Sequence, residues 1–452
     1  MTLSDKRPGA MIRRATRGVI GAVSGSLLAA GAGQLALVVS GILLARGLGA
    51  QNRGYLALLF LLPVILVQLG EAGLPGATSY FLAADLADVR SLIKQLLVPC
   101  AIQLAVVATA LALALTLYLA DKPSGVRTAA AFTFLQIPAA LATDYGLALL
   151  LGSRRYAIFN LVRTLPAASN AVAILLVFAS GTRELPIYSA ASAMALTVSG
   201  GVILAAALRD ALAQSRLVVR SPGIAAMLRF GLKAMIGSLY PIESFRLDQI
   251  FVGLVLSPLA LGYYVVAVAF TNLPRFIAQS VGIVAYPHIA SQRDHAARRR
   301  WLWIFTASTS ALLILCVALL EVVLTPLIRL FFGASFLPSV PIARVLLVAA
   351  LFLGGRRILA EGLKGAGHPL AGTASELASW VALAPCLVAV AAYRLGPVGV
   401  ALSVLASSAI SLATVLVFDR FRAVGNAAPL RPEINFSREL DETQDVEPLS
   451  HS

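Results

Sequence analysis

Most of the chain consists of apolar blocks, each twenty or more residues long, which are separated by short charged gaps. A helix of about 20 apolar residues crosses the roughly 30 Å hydrocarbon core of a bilayer. The sequence is 59% hydrophobic and 13% charged, whereas soluble domains carry about 25% charged residues. The pattern therefore predicts an all-α, polytopic membrane protein.

About twelve such blocks are present, and they divide into two sets of six. We expect two six-helix bundles around a central cavity, joined by the longest internal gap. The predicted segments are a lead-in at 1–18, an N-terminal bundle at 19–207, a linker at 208–229, a C-terminal bundle at 230–420 and a disordered acidic tail at 421–452.

A weak internal repeat supports the division into halves. Gly54-Tyr55 and Gly262-Tyr263 lie in equivalent turns, 208 residues apart. Internal repeats occur in many transporters, whose substrate site lies between the repeats near the bilayer midplane.

The net charge of +15 follows the predicted membrane topology. Most Lys and Arg residues lie in the N-terminal segment, the even-numbered gaps and the tail, and few lie in the odd-numbered gaps. This bias is the positive-inside rule, and it predicts that both termini are cytoplasmic. The basic composition therefore reports topology, and no nucleic-acid partner is predicted.

Two consecutive blocks within 228–290 carry charge and proline near their predicted centres. Glu243 and Arg246 follow Pro241 in one block, and Arg275 follows Pro274 in the next. A charge at the midplane costs at least ~2.5–3.5 kcal/mol, so it normally faces a partner or a water-filled cavity. These two helices are therefore expected to line a substrate path.

The embedded arginines are the main candidates for substrate binding. A guanidinium binds phosphate through a planar, bidentate fork and stays charged, so Arg246 and Arg275 are predicted to hold an anionic head group. Glu243 and Arg163 are further candidates. The alternative for Arg246 is a helical i,i+3 pair with Glu243 that only stabilises the kink.

The embedded acids have a different predicted role. Glu71 and Asp144 are either proton or sodium sites or ion-pair partners of Arg163. Asp248 either pairs with another helix or takes part in coupling to a cation. Glu376 falls near a turn and receives no role.

Signatures of catalysis are absent from the sequence. It has no phosphate-binding loop of the ATPase type and no His/Cys cluster with metal-ligand spacing. The predicted external gaps are too short for a catalytic domain. We expect no catalytic residues, no metal and no cofactor, and hence a transporter rather than an enzyme.

Several segments resemble the bacterial polysaccharide-biosynthesis flippases. The most recognisable is FRLDQIFVGLVLSPLALGYYVVAVAFTNLPRFIAQSVGIVAYPHIA, in which Arg246, Asp248, Gly262, Tyr264 and 287–290 match the family pattern. The family's external turns are similar to RLFFGASFLPSVPIARVLL and ARGLGAQNRGYLAL, and its entry to the twelfth span is similar to LGPVGVALSVL. The resemblance covers about 15 to 420 and indicates the superfamily that unites oligosaccharide-lipid flippases, the lipid II flippase and multidrug extruders.

This resemblance implies a multi-pass protein of the bacterial inner membrane that works by alternating access. The implied substrate is an undecaprenyl-pyrophosphate-linked oligosaccharide, exported for capsule, exopolysaccharide or lipopolysaccharide O-antigen. Membrane lipids and a polysaccharide polymerase or export machinery are the implied partners. Only Arg246 and Asp248 lie on motif positions, whereas Arg275 matches by depth and helix.

Two other functions stay open. A cation-coupled extruder of drugs or other small molecules would share the fold. A membrane polysaccharide polymerase or ligase would instead depend on His, Arg or Glu in an external loop.

Overall fold

The structure is a computed structural model that describes residues 8–213, 222–236, 241–292, 294–368 and 370–424. Side chains are described for 31–210, 222–235, 241–292, 294–368 and 370–420. Parts of the predicted lead-in, linker and tail (1–7, 214–221 and 425–452) lie outside the described residues.

The first half is built from helices that stop and restart at glycine and proline. Its helices are α1 (Pro8–Gly70), α2 (Leu74–Ala83), α3 (Val89–Leu119), α4 (Ser124–Ala131), α5 (Gln136–Gly152), α6 (Tyr156–Val162), α7 (Leu165–Ala179) and α8 (Leu185–Ala213). A 3₁₀ turn at Phe132–Leu135 joins α4 to α5.

The second predicted block, about 54–83, is interrupted near its middle. Helix α1 ends at Gly70, and α2 begins after Gly73, which has a φ of 71°. Gln103 donates a hydrogen bond of 3.1 Å to the Glu71 carbonyl oxygen, which satisfies a backbone group at the break. The Gly-Leu-Pro-Gly sequence at 73–76 therefore coincides with a local unwinding of the chain between α1 and α2.

The second half contains the longest continuous helices after α1. Its helices are α9 (Ile224–Ile236), α10 (Leu247–Phe251), α11 (Pro258–Ala290), α12 (His295–Phe331), α13 (Ser339–Gly365), α14 (Leu370–Tyr393) and α15 (Gly396–Val424). A π-helical turn at Val252–Leu256 extends α10, and Ser257 caps α11 by accepting a hydrogen bond from the Ala260 amide. Helix α11 continues through Pro274 without interruption.

Within the described residues, nine helices are long and apolar enough to cross a membrane. The segment Gly31–Gly70 of α1 counts as one of them, although it includes parts of two predicted spans, about 19–46 and 54–83. The nine do not include α13 or the two pieces of the seventh predicted span, about 231–256. The chain is thus an all-helical, multi-pass membrane protein, while the count of twelve and the cytoplasmic termini stay predictions.

The seventh predicted span is divided between two cores. Met227 on α9 is fully buried in the core of the first half, and Phe230 stacks on Tyr80 of α2 with ring centroids 4.3 Å apart. Val252, beyond the break, is fully buried in the core of the second half. The non-helical turn at 241–246 therefore connects a helix packed on one half to a helix packed on the other.

The two halves also meet at the end of the molecule that contains Gly54 and Gly262. Arg46, on α1, donates through Nε to the Phe331 carbonyl oxygen (2.7 Å) and through Nη2 to that of Leu330. These carbonyls end helix α12, where the last turn lacks helical partners and carries partial negative charge. A cation of the first half thus caps a helix of the second half.

Candidate functional site

A cluster of five charged side chains lies inside the second half. Glu243 accepts hydrogen bonds from Arg357 Nη1 at 3.1 and 3.2 Å and lies 3.2 Å from Arg275 Nε. Arg356 lies 4.0 Å from the same carboxylate and forms a buried ion pair with Glu376. Three guanidinium groups and two carboxylates therefore form one network with a net charge of +1.

Helices α11 and α13 bring the arginines to the same depth. The small residues Ala278 and Gly354 face each other where these helices pack, which permits close approach. At 1.5 Å per residue, Arg275 lies about 26 Å from the start of α11 and Arg357 about 27 Å from the start of α13. Their guanidinium groups can therefore share one acceptor.

The acceptor comes from a turn rather than a helix. In the segment 241–246, the Leu247 amide donates to the Pro241 carbonyl oxygen (3.1 Å), and Arg246 has left-handed dihedrals of 45° and 46°. The i,i+3 helical pair between Glu243 and Arg246 is therefore wrong, because this segment is not helical. The turn directs Glu243 toward α11 and α13.

An aromatic contact holds the turn between the halves. Phe245 is buried and packs with Leu61 and Ile65 of α1. Its ring also meets Trp380 of α14 edge to face, with centroids 5.8 Å apart. The turn is thus anchored on both sides by apolar contacts.

A small cavity opens beside this cluster. Its volume is about 40 Å³, and Glu243, Thr271, Arg275 and Arg357 supply its polar lining. Such a volume holds water molecules but not a sugar. The charged groups thus border a narrow space, and a ligand larger than water would fit only if these side chains moved apart.

The structure separates the roles of the two motif residues. Arg246 is exposed and within electrostatic range of Arg275. Asp248 is 3% exposed and accepts a hydrogen bond of 2.9 Å from the Tyr264 hydroxyl. Asp248 therefore joins α10 to α11, as the prediction of pairing with another helix stated, and does not line the cavity.

The remaining predicted site residues belong to the first half. The carboxyl groups of Glu71 and Asp144 lie within hydrogen-bonding reach of each other. Arg163 ends α6 with its guanidinium 5.7 Å from the centre of the Phe159 ring. Neither the two acids nor Arg163 lines the cavity beside Glu243.

Three members of the cluster were missed by sequence reasoning, namely Arg356, Arg357 and Glu376. The arginines lie near the predicted end of their span, and the acid lies near a turn. One signal could have found Arg357. Counting residues from the starts of α11 and α13 places Arg357 at nearly the same depth as Arg275.

An apolar groove runs between the halves. It has a volume of about 480 Å³ and is lined by α1, α11 and α12, with Gln34 and Asn272 as its polar residues. Its apolar side chains include Leu35, Phe270 and Phe276. The groove lies on the same helix, α11, that carries Arg275.

The family model described as "Polysaccharide biosynthesis protein" matches residues 43–341, most of the chain. The chain belongs to this polysaccharide biosynthesis family. A search of curated proteins finds no match. The family resemblance in the sequence motifs is therefore confirmed.

Solved structures of transporters share the fold of this polysaccharide biosynthesis protein. The lipid II flippase MurJ in an inward closed conformation is 16% identical, covers 87% of each chain and has a TM-score of 0.64. An inward-facing multidrug resistance MATE family transporter of the MOP superfamily is 18% identical, covers 86% of this chain and 94% of its own, and has a TM-score of 0.68. A mutant of the Vibrio cholerae MATE transporter VcmN is 16% identical, with coverages of 91% and 97% and a TM-score of 0.60. At these identities the likeness shows the fold.

Proposed function

We propose that the protein is a flippase that moves undecaprenyl-pyrophosphate-linked oligosaccharide across the bacterial inner membrane by alternating access. The observation that carries the proposal is the pairing of two unlike surfaces on α11. Arg275 belongs to a cationic cluster beside a small cavity with polar lining, and the apolar groove between the halves uses neighbouring residues of the same helix. An amphiphile with a phosphate and a long apolar chain presents the matching chemistry.

The cationic cluster suits the pyrophosphate. Arginine binds phosphate oxygens through two parallel hydrogen bonds, and such bonds are about twice as strong as neutral ones. Arg275 and Arg357 are 40% and 25% exposed, so a ligand in an opened cavity could reach them. Arg246 adds a third cation near Arg275.

The groove suits the lipid. Its lining is almost wholly apolar, so it matches the chemistry of a chain that stays in the apolar part of the bilayer. A polyprenyl chain could follow this groove while the sugars cross between the halves. The exported units would then serve a polymerase or export machinery that builds capsule, exopolysaccharide or O-antigen.

A second candidate function is a cation-coupled extruder of drugs or other small molecules. The contact between Glu71 and Asp144 favours it, because adjacent embedded carboxyl groups are typical of proton and cation sites. The MATE transporters also share the fold. The arginines of the cluster, Arg275, Arg356 and Arg357, argue against this function, because they would repel a cationic drug.

The test measures which leaflet contains the lipid-linked oligosaccharide in cells depleted of the protein. We expect the undecaprenyl-linked units to accumulate on the cytoplasmic side and external polymer to be lost. Arg275→Ala should not restore export although it inserts normally, whereas Arg344→Ala should restore it, because Arg344 pairs with Glu321 away from the cavity.

Other outcomes of the same experiment select other functions. Lipid-linked units that reach the outer leaflet but stay unpolymerised would indicate a polymerase or ligase. An unchanged lipid-linked pool, together with altered drug sensitivity, would indicate the extruder.

A further inference from the structure

The carboxylate of Glu243 occupies the position that a phosphate would take between arginines. Its two oxygens accept from one Arg357 nitrogen at 3.1 and 3.2 Å, and Arg275 Nε lies 3.2 Å away. Arg356, at 4.0 Å, adds a third positive group. Arginines that converge on one carboxylate have the geometry by which they also bind phosphate oxygens.

The three arginines differ in what else they can bind. Arg356 is 5% exposed and is already paired with Glu376, so it provides a fixed charge behind the site. Arg275 and Arg357 are more exposed and line the cavity. An anion entering the cavity would therefore compete with Glu243 for these two.

Glu243 lies on the segment that connects two helices packed on different halves. Helix α9 buries Met227 in the core of the first half, and the turn after α10 buries Val252 in the core of the second. Between them, the turn at 241–246 is tied to α11 and α13 through the Glu243 ion pairs. Releasing Glu243 would remove the ionic part of this tether.

We propose that Glu243 is an internal substitute for substrate phosphate, and that the substrate displaces it from Arg275 and Arg357 and thereby removes the ionic tether of the turn at 241–246. The proposal rests on the proposed function in one respect, namely that the substrate carries a phosphate. A pyrophosphate brings more negative charge and more acceptor oxygens than a carboxylate, so it can replace Glu243 in a net positive cluster.

Displacement also supplies the free-energy difference that a conformational change requires. A ligand shifts an equilibrium only through its different affinity for the two states. With Glu243 bound, the arginines are occupied, and with Glu243 released, they are available to the ligand. Substrate binding therefore favours the state in which the connection between the halves is loose.

The test uses the full chain in lipid nanodiscs with farnesyl diphosphate as the probe and farnesol as the probe without phosphate. If Glu243 occupies the arginines in nine of ten unliganded molecules, Glu243→Gln should bind farnesyl diphosphate about tenfold more tightly than wild type. Arg275→Gln and Arg357→Gln should bind it more weakly. Farnesol should bind all variants equally.

The matched control is Glu321→Gln. Glu321 also pairs with an arginine, Arg344, at 3.6 Å, but neither residue lines the cavity. The affinity of Glu321→Gln for farnesyl diphosphate should equal that of wild type. Glu243→Asp keeps the charge on a shorter side chain, so its affinity for farnesyl diphosphate should lie between those of wild type and Glu243→Gln. This variant tests the proposal even if Glu243→Gln fails to fold.

Hydrogen exchange reports on the turn itself. The Leu247 amide, bonded to the Pro241 carbonyl oxygen at 3.1 Å, should exchange faster in Glu243→Gln than in wild type. Farnesyl diphosphate should accelerate it in wild type, whereas farnesol should not.

The outcomes separate this proposal from the proposed function. Equal affinity of wild type, Glu243→Gln and Glu243→Asp, with weaker binding by the arginine variants, would overturn displacement and leave the flippase standing. Failure of every variant and of wild type to bind farnesyl diphosphate would overturn both.

Discussion

Gly54 and Gly262 form a reciprocal contact in which each glycine lies against the backbone of the other's helix. A side chain on Gly54 would meet the Pro258 carbonyl oxygen, and one on Gly262 would meet the Ala50 carbonyl oxygen. Ala50 and Pro258 are 208 residues apart, as are the two glycines. The contact therefore relates equivalent positions of two repeats, as a two-fold axis relates the partners of a dimer.

The first prediction concerns this crossing. Within a helix, Ala is normally more stable than Gly by about 0.5–1 kcal/mol. At Gly262 the added methyl meets a backbone oxygen that cannot move without its helix, and overpacking costs about 1–3 kcal/mol. We expect Gly262→Ala to lower the thermal unfolding midpoint of the purified protein and to reduce export.

Gly201→Ala is the control for that substitution. Gly201 lies within α8 and has open space around the position of a Cβ, so its variant should be as stable as wild type or more stable. A Gly262→Ala protein with the stability and export of wild type would show that the close crossing is not required.

The second prediction concerns the buried hydrogen bond between Tyr264 and Asp248. Hydrogen bonds to charged groups contribute about 1.5–3 kcal/mol, so Tyr264→Phe should lower the unfolding midpoint. The control is Tyr263→Phe, which keeps the edge contact of this ring with Phe336 and should leave the unfolding midpoint unchanged. Asp248→Asn retains an acceptor for Tyr264 and should keep export. Loss of export with normal stability in Asp248→Asn would instead indicate coupling at Asp248.

The third prediction concerns the buried pair of Arg356 and Glu376. Removing one member of a buried ion pair leaves an uncompensated charge and costs about 3–5 kcal/mol. Replacing both members by apolar residues of similar volume is often neutral. We expect Arg356→Met and Glu376→Met each to aggregate at lower temperature in detergent, and the double variant to regain most of the loss. Additive losses in the double variant would show that the two side chains act separately.

The fourth prediction concerns Glu71 and Asp144. Glu71 and Asp144 lie close enough to interact, and two carboxyl groups can share a hydrogen bond only when one of them carries a proton. Glu71→Gln can donate its amide to Asp144, so the fold should survive while the exchangeable proton is lost. Export should then no longer respond to the proton gradient, measured in cells treated with a protonophore.

A carboxylate outside this pair provides the comparison. Asp210 forms an ion pair with Arg155 at 2.8 Å, and Asp210→Asn should keep the gradient dependence of wild type. If Glu71→Gln keeps it too, the two acids are not the coupling site.

The membrane class could be predicted because it depends on composition along the chain. The break after Gly70 could be predicted as well, because glycine and proline act locally. The position of Glu243 could not be predicted correctly, because counting residues along the span assumes a straight helix. The turn at 241–246 interrupts that helix and redirects the side chain. Its contacts with Arg275 and Arg357 depend on how α11 and α13 pack, which no local pattern specifies.

The buried pair of Arg356 and Glu376 shows the same limit. Both residues lie close to predicted helix ends, where long charged side chains normally reach the interface. Their pairing requires α14 to pack beside α13, and a single sequence carries no signal of that contact.

The packing of α9 has a consequence for how the chain is made and how it can be cut. A ribosome that has completed α8 has not yet supplied Met227, so the first core is finished only when α9 follows. If the chain were divided at 208–223 and expressed as two fragments, the N-terminal fragment would lack Met227 and its core would stay open. The C-terminal fragment would carry α9 without the helices on which it packs. Fragments divided between α9 and the turn at 241–246 would keep Met227 with the rest of the first core, and we expect these to reassemble in the membrane.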